Sequence, residues 1–390
     1  MHKNTPLGYW ERESLLRTTN ITIVGAGIVG MSTALYLRRL RPNADIRIVE
    51  RHPLAAGGSS RNAGFACFGS AGEWLDDLDT LGEQGLVDLV RHRAEGLRHL
   101  IDLLGEDALG LEWKGGWELF RSEDEPLAAQ ALQALPRLND LLQPALKEVL
   151  SDIRASALDM PALQPDPSRA TQLGASTAIH LPWEGMLHTG RMITAFHRAL
   201  DAAHIQRLHG VTVRGWTAEP SGSGWILDTD LAPLSTEMLA ICCNGFAGDL
   251  LPDLDVRPVP NRVLVLKGQP DALPEGTYHL DRGYLYMRSL RPGEYLFGGG
   301  RHWNLDLPLS GSANIESAWD QQLLKAAEDW IQGPLEVTHR WTGWLGVGDT
   351  REPLVGQTAS GLHHAVRMGG MGVAIGTGIG HQLAHQMYSE

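Results

Sequence analysis

Ile21–Glu50 reads ITIVGAGIVGMSTALYLRRLRPNADIRIVE, and the order of residue types in it decides the fold of the chain around it. Ile21-Thr22-Ile23-Val24 has the apolar pattern of a short buried strand, and Met31–Leu40 has helical periodicity. Between them lies Gly25-Ala26-Gly27-Ile28-Val29-Gly30. Gly25 allows a tight turn, Gly27 lets a pyrophosphate approach the backbone, and Gly30 lets the helix pack closely on the sheet. The helix N-terminus presents unpaired N–H groups and a positive dipole end to the phosphates. A second strand, Ile46–Val49, ends in Glu50, whose carboxylate can accept hydrogen bonds from an adenosine ribose. Strand, glycines, helix, strand and acid in this order specify a dinucleotide site.

The next segment separates FAD from NAD. A nicotinamide enzyme usually continues with a plain βαβ repeat. Here Glu50 and Arg51 are followed by Gly57-Gly58-Ser59-Ser60-Arg61-Asn62-Ala63-Gly64-Phe65, a second glycine- and serine-rich loop. Its N–H and hydroxyl groups suit the phosphate, ribityl and ring-edge oxygens of a long, buried cofactor.

That loop resembles the GASGRNGG-type loop of the FAD-dependent oxidoreductases related to D-amino acid oxidase, glycine oxidase and gamma-glutamylputrescine oxidase. Ala240-Ile241-Cys242-Cys243-Asn244-Gly245-Phe246-Ala247 is similar to the same family's apolar strand and Ala-x-Gly-aromatic turn. Arg367 to Gly376, with Gly370-Met371-Gly372-Val373 at its centre, resembles the final glycine turn and helix beneath the flavin. Tyr9-Trp10 is similar to the YW of the gamma-glutamylputrescine oxidase branch. The resemblance implies an α/β FAD-binding Rossmann-like domain plus an α+β substrate domain with a mostly antiparallel sheet. It also implies backbone contact with the adenine at Val211-Thr212-Val213. The dipole of the last helix would stabilise negative charge at flavin N1 and C2=O. No cysteine lies near the C-terminal segment that sarcosine-oxidase relatives use for covalent attachment, so non-covalent FAD is expected.

Composition narrows the classes further. A chain of 390 residues is long enough for two cores. Its net charge of −13 argues against nucleic acid, which needs a basic footprint. Cofactor phosphates are then met by backbone N–H groups, not by a general positive field. Cys67, Cys242 and Cys243 suggest no disulfide framework, which is compatible with a reducing cytoplasm. The opening MHKNTPLGYWERES has no apolar core of a signal peptide, and no run reaches the length of a membrane span. A cytoplasmic location is expected.

The layout predicts a discontinuous FAD domain over 20–80, 183–255 and 345–390, with a substrate domain over 81–182 and 256–344. Leucines over 86–104 are spaced helically. Residues 127–150 are leucine-rich but interrupted by Pro136 and Pro144, which predicts two or three short helices. Pro161, Pro165 and Pro167 predict a loop. Thr189–His204 reads as a helix, with His188 in the turn before it, and Val211–Val213 and Ala240–Asn244 read as strands. Short strands are expected at 262–267, 278–280, 284–288 and 295–298, then a helix at 315–331 and a return strand at 337–344. Gly376-Thr377-Gly378-Ile379-Gly380 looks like a second fingerprint, but no strand and acid follow it.

Substrate chemistry is expected on the sheet facing the flavin. Tyr284, Tyr286 and Arg288 alternate along one strand and so share a face. Arg301 and His302 follow Gly298-Gly299-Gly300, and Trp341 and Trp344 lie on the return strand. Amino-acid-oxidising relatives carry a Gly-Leu-Arg-Pro segment whose arginine grips the substrate carboxylate, and Leu345 stands in that place here. Leucine cannot make a bidentate clamp, so either Arg288 or Arg301 replaces it or the substrate is an amine lacking that carboxylate. His381 and His385 share a helix face without a third ligand in the sequence nearby, and no metal is expected. The reading is an FAD-dependent oxidoreductase acting on the C–N bond of a small amine or amino acid, with O2 or a quinone or carrier as electron acceptor. A 2-hydroxy-acid oxidase or dehydrogenase is the alternative within the same fold, and a flavin-bearing assembly or sensory subunit is the non-enzymatic one.

Overall fold

A computed structural model describes residues 6–54, 56–220, 222, 224–303 and 313–389. Residues 1–5 of the opening and 304–312 of the expected 256–344 segment lie outside them. Thr19–Val24 is a central strand, paired in parallel with Ile46–Glu50 on one side and Leu234–Ile241 on the other. Gln206–His209 extends the sheet beyond Ile46–Glu50, and His363–Val366 extends it beyond Leu234–Ile241, both in parallel. Leu354–Gln357 closes that edge antiparallel, and a hairpin of Val213–Ala218 and Trp225–Thr229 also packs on Leu234–Ile241.

The second sheet has the order Glu336–Val347, Arg257–Lys267, Glu294–Gly299, Leu285–Arg291, Thr277–Leu280, Gly116–Phe120, Thr177–Leu181, Gln164–Pro165. Every neighbouring pair is antiparallel except Thr277–Leu280 with Gly116–Phe120. That one parallel pair joins two chain segments far apart in sequence into one sheet. Gly116–Phe120 is buried at every position, so it lacks the alternation that marks a strand in sequence.

Three expectations are corrected. Residues 125–150 form one helix, Glu125–Leu150, with both prolines inside it. Pro136 and Pro144 sit on its exposed side, where carbonyls that lose a partner can turn to water. Ala128, Ala131, Leu135, Leu138, Leu142, Ala145 and Leu146 keep an unbroken buried stripe on the other side. Pro167 opens a helix, Pro167–Leu173, because Asp166 caps it by accepting the Arg169 amide at 3.0 Å. Val211 and Thr212 are not strand; the Val211 amide donates to the Glu50 carbonyl at 3.0 Å, and the next strand starts at Val213.

A long helix, Ala71–Leu104, bends at Gly82 and lies against the C-terminal helix Gly372–Tyr388. They approach tightly at Gly96, where a Cβ would stand 2.2 Å from the Ala374 carbonyl oxygen. Gly96→Ala must therefore push the two helices apart. A loss of about 1–3 kcal/mol is expected in chemical denaturation, with a falling FAD content as the C-terminal turn shifts.

Candidate active site

A cleft of about 1870 Å3 runs between the two sheets. At one end the turn Gly25–Val29 opens into it beside Glu50, Arg51 and Val211. Gly30 lies behind the turn, where a Cβ would fall 2.0 Å from the Gly25 carbonyl oxygen, so only glycine lets the helix Ile28–Leu40 start there. Glu50 holds the turn: its carboxylate accepts the Ala26 amide at 3.0 Å and the His52 amide at 2.9 Å. The second loop is tied to the first through Ser59, whose hydroxyl accepts the Ile28 amide at 2.9 Å. Gly27, at the helix cap, brings no side chain, which leaves room for an anion at the dipole's positive end. These residues fit a dinucleotide's phosphates and ribose.

The loop itself is braced from within. Asn62 accepts the Gly64 amide and the Thr189 hydroxyl, each at 2.8 Å, and donates to the Ser59 carbonyl at 2.7 Å. Arg61 donates to the Thr342 carbonyl, and Trp341 donates its indole N–H to the Arg61 carbonyl. Ser59, Arg61, Asn62, Ala63, Gly64 and Phe65 line the cleft, whereas Ser60 does not. Asn244 also lines it and accepts the Met368 amide at 3.0 Å, while Gly245 is buried against the Leu345 backbone. Gly370, Met371, Gly372 and Val373 complete the far wall. Phe246, read in the sequence only as the aromatic of the 240–247 turn and not as a site residue, also lines the cleft; the Arg51 guanidinium lies 4.0 Å from its ring centre, and the pair frames the nucleotide end.

At the other end stand Tyr284, Tyr286, Arg301 and Trp344. Tyr284 precedes the strand Leu285–Arg291, and the Arg301 guanidinium lies over its ring at 5.0 Å. Tyr286 accepts a hydrogen bond from Asn261 at 2.9 Å, and burial raises its phenol pKa. His302 does not line the cleft; it packs against the Tyr284 ring at 4.8 Å and pairs with Asp281 at 2.8 Å.

Arg288 departs most from its expected role. Its side chain leaves the cleft and donates to the carbonyls of Ala63, Gly64 and Leu187 at 3.2, 3.0 and 2.9 Å. Burial lowers its pKa to about 10. A guanidinium engaged this way braces the loop and is not a carboxylate grip. Of the two arginines considered for that task, Arg301 is the one at the cleft.

A polar cluster that the sequence reading missed lies under the aromatic end. His279 donates or accepts through Nε2 at 2.8 Å from Glu184, and Glu118 accepts the Gly72 amide at 2.8 Å and the Ser70 hydroxyl at 3.0 Å. Burial pushes Glu118 up to about 7, against the pull of those hydrogen bonds. Cys67, Glu184 and His279 bring their ligand-type atoms within 4.8 Å of one another. The signal was present as single polar residues inside apolar strands, Glu118 in GWELF and His279 in TYHL. His381 instead stacks on His99 at 4.4 Å, where burial lowers its pKa to about 4. His188 caps the helix Thr189–Ala202 through Nδ1. All three cysteines are free.

The FAD dependent oxidoreductase (DAO) family matches residues 20–386. The chain belongs to that family. It is an FAD-dependent oxidoreductase with the DAO fold. It is 24% identical over 371 residues to a probable oxidoreductase OrdL of Rhizobium meliloti (strain 1021), covering 92% of this chain and 80% of that protein. The glycine oxidase of Geobacillus kaustophilus has a similar structure, with a TM-score of 0.69 at 18% identity over 95% of each chain. The L-proline dehydrogenase of P. horikoshii gives a TM-score of 0.67 at 14% identity, over 95% of this chain and 93% of that one. Among the described residues no helix is long and apolar enough to cross a membrane.

Two outcomes are expected here. Arg288→Met leaves the Ala63 and Leu187 carbonyls without their donor and the Gly64 carbonyl with the Leu187 amide alone, and a loss on the order of 3 kcal/mol in denaturant titrations should accompany weaker FAD retention. Glu118 binds its proton more tightly folded than unfolded, so its contribution to stability falls as pH rises from about 4.5 through about 7. Melting temperatures recorded across that window should show a flatter slope in Glu118→Gln.

Proposed function

We propose that this enzyme oxidises the C–N bond of a small amine or amino acid, giving an imine that hydrolyses. The observation that carries this reading is a single cleft joining the amide-lined turn Gly25–Val29 to the aromatic wall of Phe65, Tyr284, Tyr286 and Trp344. A bound flavin supplies hydride acceptance at N5. The chain's part is to hold the reacting carbon against that wall, exclude water and leave the nitrogen unprotonated.

Leu345 and the engagement of Arg288 with backbone carbonyls away from the cleft favour an amine, or an amino acid whose carboxylate meets Arg301 alone. Two structures of like fold are a glycine oxidase and an L-proline dehydrogenase, and both names denote amino acids as substrates. We assign FAD binding to the turn 25–29, Glu50, Arg51, Ser59, Arg61, Asn62, Ala63, Gly64, Phe65, Val211, Asn244 and 370–373, whereas Gly30, Ser60 and Gly245 stand behind the lining. In this reading the FAD is non-covalent and the enzyme works in the cytoplasm, with O2 or a quinone or carrier reoxidising it. The FAD domain then spans 20–80, 183–255 and 345–390, and the substrate domain spans 81–182 and 256–344.

Anaerobic mixing with panels of amines, amino acids and 2-hydroxy acids tests this reading. Bleaching of the flavin absorbance by an amine or amino acid is expected. Bleaching by hydroxy acids alone would replace it with the 2-hydroxy-acid reading. On admission of air, fast recolouring marks an oxidase and slow recolouring a dehydrogenase.

A further inference from the structure

One row of residues crosses the second sheet at a single level. Glu118 pairs in register with His279, His279 with Tyr286, Tyr286 with Gly298, Gly298 with Val263, and Val263 with Trp341. Residues opposite one another on neighbouring strands share a face, and His279, Tyr286 and Val263 of this row line the cleft. Gly298 makes space for the Tyr286 ring, since a Cβ there would lie 2.7 Å from it. Phe65 of the cofactor loop packs edge-on against both His279 and Tyr286, at 5.5 and 5.6 Å. His279 is thereby fixed at the boundary between cofactor loop and substrate wall.

Glu184 fixes its ring orientation from behind. Its carboxylate is 1% exposed, bonds His279 Nε2 at 2.8 Å and accepts the Thr277 hydroxyl at 3.1 Å. Nδ1 is then the ring nitrogen left for the cleft. A carboxylate holding one imidazole nitrogen while the other meets the substrate is the arrangement of a general base. Hydride can leave the carbon of an amine only when the nitrogen lone pair is free, and an ammonium has none. Resting on the amine reading, we propose that His279, oriented by Glu184, is the base that deprotonates the substrate ammonium. The substrate N–H bond breaks, its electron pair stays on nitrogen, and the proton bonds to His279 Nδ1. Glu184 balances the imidazolium that forms.

The surroundings suit that task. Burial by itself would lower the His279 pKa, but Glu184, then Glu118 and Glu73, raise it above its usual value. Glu73 is paired with Arg93 at 3.1 Å, and the buried Cys67 thiol, pushed up by burial, brings no charge. A base tuned upward toward the working pH is the more effective one. The neutral imidazole is the active form, so the rate should rise with pH through this ionisation.

His279→Gln keeps an N–H for Glu184 and removes Nδ1. In the holoenzyme, flavin reduction by an amine under anaerobic conditions should fall by roughly 100-fold at neutral pH. The deficit should close as pH passes the amine's own pKa, because the substrate then arrives neutral. Glu184→Gln should move the ionisation to lower pH, both in that rate profile and in the NMR titration of the His279 ring in the oxidised holoenzyme. The flavin absorbance of each variant reports that it is folded and loaded. An unchanged pH profile in His279→Gln would overturn the proposal and leave the amine reading standing, whereas reduction by hydroxy acids alone would overturn both. One tightly held divalent ion per chain, lost in Cys67→Ser, would also overturn it, by making Cys67, Glu184 and His279 a metal site.

Discussion

The guanidinium of Arg288 brings a full charge from the second sheet into a place almost closed to water, and it is tolerated because three carbonyls surround it. Those carbonyls belong to Ala63 and Gly64 of the cofactor loop and to Leu187. A buried cation without partners is costly, so neither side can move away without exposing the other. One interaction therefore ties the loop 57–65 to the strand Leu285–Arg291. Asn62, Arg61 and Trp341 add neutral and charged hydrogen bonds along the same seam. Everything in the cleft is measured from this brace.

The acidic balance of the chain shapes the rest. With a net charge of −13, a general field would repel pyrophosphate, so in the proposed binding mode the phosphates rely on a glycine turn and a helix terminus. Glu50 serves that turn through the Ala26 and His52 amides, holding its own backbone in the shape that receives a nucleotide. At the opposite end Glu118 and Glu184 are buried on either side of His279, and burial lifts the Glu118 pKa to about 7. The two ends thus use opposite devices, fixed dipoles at one and titratable groups at the other.

How far the sequence could be read depended on whether a property was local. The turn 25–30, the acid at 50 and the loop 57–65 were legible because each is a short string with its own geometry. Pro136 and Pro144 misled, since a proline breaks a helix by local rule, and only the packed stripe of Ala131, Leu138 and Leu146 shows that the helix persists. Val211 read as strand by its β-branched neighbours, while its amide is in fact tied to Glu50. That leucine at 345 cannot clamp a carboxylate follows from side-chain chemistry, which needs no coordinates.

The sequence by itself determined the nucleotide fold, the cofactor class and the lack of a clamp at 345, all of which follow from residue type and near spacing. Tertiary structure alone decided what Arg288 and His279 do. Alternation placed Arg288 on the strand face with Tyr286, but only packing shows that its head reaches past the cleft to backbone carbonyls. His279 gained its partners from the turn at Glu184 and from the strand at Glu118, which lie far away along the chain. Hydrogen bonds and desolvation act over a few ångströms of space, and sequence spacing carries no record of which distant segments a sheet will bring that close.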